Sequence, residues 1–144
     1  MKLSTNFKLN EFTYSKTADE YNVSNAPTKT AVINLKLLCN NILQPLRNYL
    51  NKPIFISSGF RSEEVNALVG GTINSQHLRG QACDFYVKNL TPFDIAKAVM
   101  DLNLDFDQMI LYPDFVHISY TNIKTRENRR QLLYNQSYNG AKFN

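Results

Sequence analysis

The sequence predicts an α+β domain, on three observations. Two short strand patterns, "FDQMILY" and "FVHISY", are separated only by Pro113-Asp114, which reads as an antiparallel hairpin. Helical patterns recur along the rest of the chain, with apolar residues stepping by three or four. At 144 residues the chain has the length of one ordinary domain, and it carries no repeat, low-complexity run or internal linker. Helices together with adjacent antiparallel strands in one short chain belong to the α+β class.

In order, residues 1–27 are polar and interrupted, so an irregular N-terminal arm is expected, with a short helical turn near Asn10–Tyr14. "TKTAVINLKLLCNNILQPLRNYL" places Val32, Leu35, Leu38, Ile42, Leu46 and Leu50 on one helical face. Thr28 or Thr30 supplies its N-cap. Pro45 has no N–H to give the carbonyl four residues back, so it must kink or restart this helix. "PIFISS", β-branched and alternating, predicts a strand at 53–58. "SEEVNALVG" predicts a short helix capped by Ser62 and stopped by Gly70-Gly71. "GTINSQHLRG" reads as loop and "QACDFYVK" as a strand at about 81–88. "TPFDIAKAVMDL" is a helix with Thr91 as N-cap and Pro92 in its first turn. After the hairpin, "TRENRRQLLY" predicts a final helix, and residues 135–144 a flexible tail.

Composition narrows the classes. Apolar residues are 43% and charged residues 19%, a globular rather than a disordered profile. The formal charge is +4, but no dense Lys/Arg block or aromatic–basic motif marks a nucleic-acid binder. No run reaches the ~20 apolar residues of a membrane span. The N-terminus has no apolar segment of a secretory signal, so synthesis in the cytoplasm without a signal peptide is expected. Cys39 and Cys83 fall in apolar stretches and are expected to be buried free thiols.

The chain has two histidines, His77 and His117. On the strand "ACDFYV", Ala82, Asp84 and Tyr86 share one face; on "FVHISY", Phe115, His117 and Ser119 share one. Each strand thus carries one ligand-capable side chain among apolar neighbours. A buried carboxylate or imidazole is costly unless paired or bound to metal. If both strands lie in one sheet, Asp84 and His117 can converge, and His77 can reach them from the loop entering the Asp84 strand. Two His and one carboxylate leave a fourth position open, the pattern of a catalytic zinc site.

"SGFRS" at 58–62, "NSQHLRGQACDF" and "FDQMILYPDFVHIS" resemble peptidase family M15, the zinc D-alanyl-D-alanine carboxypeptidases with phage endolysins among their relatives. The family's S-x-H-x-x-G-x-A-x-D motif is met by Ser75, His77, Gly80, Ala82 and Asp84, and its W-V-H-like strand by Phe115, Val116 and His117. "NFKLNEFTYSKTA", "LCNNILQPLRNYLNKPI" and "ENRRQLL" resemble the small single-domain branch, so the resemblance covers nearly all of residues 1–144 as one domain.

The resemblance implies a small central antiparallel sheet flanked by helices, Hedgehog/DD-peptidase-like. It also implies one Zn2+ held by His77, Asp84 and His117. Arg61 matches the family's arginine near the metal and could steady an oxyanion or grip a substrate carboxylate. Ser75 could orient its loop or touch substrate, and Gly80 is expected at positive φ. Asp114 fits a D-x-x-H spacing for the general base. Positions i and i+3 of a regular strand face opposite ways, so Asp114 must sit in a turn or bulge to serve. Some relatives carry a glutamate slightly earlier, where this chain has Leu111 and Tyr112; Asp107 is a weaker candidate. The activity implied is hydrolysis of peptide bonds in peptidoglycan stems, as a carboxypeptidase or endopeptidase. A phage-released or virion-associated monomer is expected, with bacterial peptidoglycan as partner and neither nucleic acid nor membrane. The mild positive charge suits an anionic wall polymer. The alternative is a catalytically inactive zinc-containing module that binds the cell wall or serves in a virion.

Overall fold

The computed structural model describes residues 1–144. Strands β1 (Lys2–Ser4) and β2 (Phe7–Lys8) pair antiparallel and lead into helices α1 (Leu9–Thr13) and α2 (Lys16–Tyr21). Residues 1–27 are therefore folded where an irregular arm was expected. Leu3, Phe7 and Phe12 anchor them in the core, and the Asn25 side chain bonds the carbonyls of Thr13 and Phe60. The expected helical turn is α1 itself.

Helix α3 (Lys29–Leu38) starts at Thr28, whose hydroxyl accepts from the Ala31 N–H. It runs through a π-turn (Cys39–Leu43) into α4 (Gln44–Leu50). The Gln44 N–H reaches back five residues to the Cys39 carbonyl. That wider turn lets Pro45 sit in the first turn of α4, where its missing N–H and its ring do least harm. The predicted restart at Pro45 is observed.

Strand β3 (Phe55–Ser58) follows, then α5 (Glu63–Leu68), capped by Ser62 Oγ on the Val65 N–H. The predicted loop 71–80 contains one 3₁₀ turn, Gln76–Arg79. Strand β4 (Ala82–Tyr86) leads to α6 (Pro92–Asp101), whose Thr91 and Asp94 side chains bond each other's backbone N–H in a capping box. Strands β5 (Gln108–Leu111) and β6 (Val116–Ser119) form the expected hairpin.

The end of the chain differs from expectation. In place of a helix over "TRENRRQLLY", residues 121–130 are irregular and β7 (Gln131–Tyr134) pairs parallel to β5. Helix propensity is a weak prior, and here three tertiary features override it. Arg126 and Arg129 are drawn onto the carboxylate of Asp107, Arg130 adopts φ +52, and the open edge of β5 offers a ladder to fill. Residues 135–144, expected as a flexible tail, lie against the core. Tyr138 is buried, the Phe143 ring stacks on Phe93, and the Phe143 N–H bonds the Tyr134 hydroxyl.

The main sheet has the order β3-β4-β6-β5-β7, antiparallel throughout except for the parallel edge strand. The molecule is α+β, a mixed five-stranded sheet and a two-stranded sheet flanked by helices. One face of the main sheet presents Cys83, Phe85, Met109, Leu111, Val116 and Ile118, all fully buried, toward Leu35, Leu38, Ile42, Leu46, Ile95 and Val99 of the helices. The period-2 alternation of strands then puts Asp84, Ile110 and His117 on the opposite face, which the helices leave open. No helix is long and apolar enough to cross a membrane. Cys39 and Cys83 are buried free thiols, as expected, and burial raises both well above the usual thiol range.

Candidate metal centre and its cleft

Register alone brings two of the site residues together. Asp84 on β4 and His117 on β6 are directly opposed across the antiparallel ladder. His117 Nδ1 lies 2.9 Å from Asp84 Oδ1. His77 arrives from the 3₁₀ turn, which Ser75 caps by accepting the His77 N–H at 3.2 Å. Gly80 then reverses the chain into β4 at φ +71. A Cβ there would also lie 2.4 Å from the Ala31 carbonyl oxygen, so packing and conformation both require glycine. The turn sets His77 Nε2 3.3 Å from Asp84 Oδ1. The ligand-capable atoms of His77, Asp84 and His117 all lie within 4.8 Å of one another.

The donor chemistry of this trio fits a cation. His77 Nδ1 is 2.7 Å from the Gly59 carbonyl oxygen, which can only accept, so Nδ1 carries the proton. In the neutral ring, Nε2 then presents a bare lone pair to a carboxylate oxygen at 3.3 Å. Two acceptors face to face repel unless a proton or a metal ion stands between them. Metal–N and metal–O bonds of about 2.0–2.1 Å at a tetrahedral ion separate two ligand atoms by roughly 3.3 Å, matching the contact. The bond to Gly59 is also the usual means of fixing a metal-binding imidazole in one tautomer.

Burial by itself would raise the Asp84 carboxyl. The hydrogen bond with His117 Nδ1 at 2.9 Å, and the His77 ring at 3.3 Å, outweigh burial and hold it well below the usual carboxylate range. The carboxylate is thus ionised and available as a ligand across the physiological pH range.

Arg61 is the third feature. Its Nε donates to Ser58 Oγ at 3.3 Å and its Nη1 to Asn66 Oδ1 at 3.2 Å, while Nη2 stands 3.7 Å from Asp84 Oδ2. Burial lowers its proton affinity and Asp84 and Tyr112 restore part of it. Asn66 is itself buried and pinned by its Nδ2 donating to the Thr72 carbonyl. Gly71 leaves the room for this, since a Cβ at that position would fall 2.1 Å from Asn66 Oδ1. The Arg61 N–H bonds the His77 carbonyl, which ties the arginine segment to the histidine turn.

These side chains line a cleft of about 550 Å³ that also includes Ser75, Gln108, Ile110, Tyr112, Arg79, Arg126 and Arg129. Asp84 is the only carboxylate on its wall. The two sequence candidates for a base stand elsewhere. Asp107 is fully buried and accepts from Gln76, Arg126 and Arg129, so it has no lone pair to spare for a substrate proton. Asp114 is exposed in the β5–β6 turn, makes no side-chain hydrogen bond or ion pair, and does not line the cleft. Sequence reading missed Asn66, Tyr112, Arg126 and Arg129. The two arginines were assigned to a helix, and their partner Asp107 is distant in sequence.

No curated protein matches the chain. A family model described as Peptidase M15 matches residues 5–119, a span that takes in Arg61, the 3₁₀ turn and strands β3 to β6 but stops short of Arg126 and Arg129. With that much of its length matched, and a metal-competent trio on the residues the motif names, the chain belongs to the peptidase M15 family, a family of metallopeptidases.

Proposed function

We propose that the protein is a zinc-dependent peptidase that hydrolyses peptide bonds in peptidoglycan stems. The observation that carries this reading is the convergence of His77 Nε2, Asp84 Oδ1 and His117 Nδ1 at the floor of the cleft. These three residues would hold the zinc. When bound, zinc supplies Lewis acidity and lowers the pKa of water toward neutrality. The chain's own groups do the rest. Gly59 and Ser75 orient His77. Arg61, held by Ser58 and Asn66, offers a fixed guanidinium to the oxyanion of a tetrahedral intermediate or to a substrate carboxylate. Tyr112, on the same wall, adds a phenol whose proton is retained, because burial and Asp84 raise it while Arg61 only partly lowers it. The net charge of +4 favours approach to an anionic wall polymer.

Asp114 is our assignment for the proton acceptor. It stands outside the cleft, so the four-residue turn Tyr112–Phe115 must swing to bring it in. The turn has one internal backbone hydrogen bond, Tyr112 N–H to the Phe115 carbonyl at 3.0 Å, and the Asp114 side chain has no partner to lose. Asp114→Asn is expected to keep its metal and lose roughly 10²–10⁴-fold in kcat; near-normal turnover excludes this assignment.

The position of Asp114 also favours a second reading, a zinc-containing module that binds the wall without cutting it. Incubation of purified peptidoglycan with the zinc-loaded protein separates the two. Release of free amines that a chelator abolishes supports the peptidase, and mass spectrometry of defined stem peptides identifies the bond. Binding without release supports the module.

A further inference from the structure

The cleft carries more positive charge than its metal trio explains. Arg126 and Arg129 line it from the irregular segment between β6 and β7, and both bond the same buried carboxylate. Arg126 uses Nη1 and Nη2 on Asp107, at 2.7 and 3.2 Å, and Arg129 uses Nε and Nη2, at 3.0 and 2.9 Å. One carboxylate faces two guanidiniums, so a positive charge remains. Arg129 Nη1 and Arg126 Nε have no partner among the hydrogen bonds of the molecule. Arg79, on the same wall, donates only to the neutral Gln81 side chain. Glu127 forms no ion pair and does not line the cleft.

The placement relative to the metal trio is set by strand order. Arg61 follows β3 at one side; Asp84 and His117 stand on β4 and β6; Gln108 and Ile110 stand on β5; and the two arginines precede β7 at the far side. Asp107, which holds both arginines, immediately precedes β5, the strand next to that of His117, and adjacent strands are about 4.8 Å apart. An extended peptide advances about 3.4 Å per residue, so a few residues of substrate reach from a bond held at the trio to the arginine wall of the same cleft. Asp107 fixes them rigidly and, through Gln76 Nε2 at 3.0 Å, joins them to the turn that carries His77.

We propose that Arg126 and Arg129 form a specificity subsite for a second, free carboxylate of the substrate, a few residues from the cleaved bond. The proposal rests on the peptidase reading above. It concerns two residues of the segment that follows the span matched by the family model. A planar guanidinium pair already held by a buried carboxylate recognises an incoming carboxylate at little ordering cost. A primary amide of the same shape offers one acceptor and no charge.

The test is a set of synthetic stem peptides, identical except that each side-chain or α-carboxyl in turn is free or a primary amide. With the zinc-loaded wild-type protein, one free/amide pair is expected to differ roughly ten- to a hundredfold in kcat/KM, mostly through KM, in favour of the free acid. In Arg126→Gln that ratio is expected to fall toward one, with Arg129 still holding Asp107. Arg129→Gln should do the same, which covers the case where the first variant is poorly folded. Cleavage of every pair at equal kcat/KM by the wild type overturns the subsite while leaving the peptidase reading intact. A wild-type preference unchanged in both folded variants also overturns it. If no peptide of the set is cleaved, the peptidase reading fails and the subsite with it.

Discussion

At the scale of single residues, the trio stands on complementary donors and acceptors. His77 has its Nδ1 proton committed to Gly59, so its only free nitrogen faces Asp84. His117→Ala removes one ligand, and the expected outcome is loss of stoichiometric zinc by elemental analysis of the purified variant. Retention of one zinc per chain contradicts the ligand assignment. Asp107 makes a separate prediction, about stability. Burial tends to raise its carboxyl, but the hydrogen bonds from Arg126, Arg129 and Gln76 outweigh that and hold it far below the usual range. A carboxylate with a depressed folded-state pKa stabilises the fold fully above its unfolded value of about 3.9. That contribution erodes as pH falls below this point and is gone once the folded-state value is passed. Asp107→Ala is therefore expected to cost about 2–4 kcal/mol by urea unfolding at pH 7, somewhat under a fully buried pair because both guanidiniums reach solvent. The variant should also lose part of the wild type's decline in stability between pH 5 and pH 3; an unchanged decline means other carboxylates dominate acid unfolding.

At the scale of elements, short pieces at turn points matter more than long helices. The 3₁₀ turn Gln76–Arg79 and Gly80 aim His77 at β4. Gly80→Ala introduces both a positive-φ alanine and a clash with the Ala31 carbonyl. It is expected to destabilise by about 1–3 kcal/mol and to weaken zinc affinity measured by competition with a chelating dye. Unchanged zinc affinity would show that the turn does not set the His77 geometry. Three signals in this region were legible in the sequence: the Ser75 cap, the glycine at positive φ, and the strand entering at 81. The sequence was misleading at "TRENRRQLLY". Its local letters favour a helix, while the edge of β5 and the distant Asp107 carboxylate favour an extended strand and an irregular loop. A competition between local propensity and contacts twenty residues away cannot be judged from the segment alone.

At the scale of the whole molecule, one sheet separates two environments. Its helix-covered face holds both cysteines' surroundings, and its open face holds the cleft. Cys39 and Cys83 are fully buried and their thiolates are disfavoured, so neither is expected to react with a thiol reagent in the native protein, and both should react after unfolding in denaturant without reductant. Mass spectrometry before and after unfolding checks this, and labelling of either cysteine in the native state would contradict the burial. The sequence by itself determined the α+β class, most strand and helix positions and the buried thiols, because those depend on periodicity, caps and local hydrophobicity; the grouping of His77 and Asp84 with His117 came from the resemblance of two separated motifs to the M15 family. Only the tertiary structure decided the register that sets Asp84 against His117, the parallel edge strand, the folded N-terminal arm, the exclusion of Asp107 from proton transfer and the arrival of Arg126 and Arg129 in the cleft. Each of these depends on which distant groups compete for the same edge, cavity or carboxylate, and that competition is resolved only when the chain is compact.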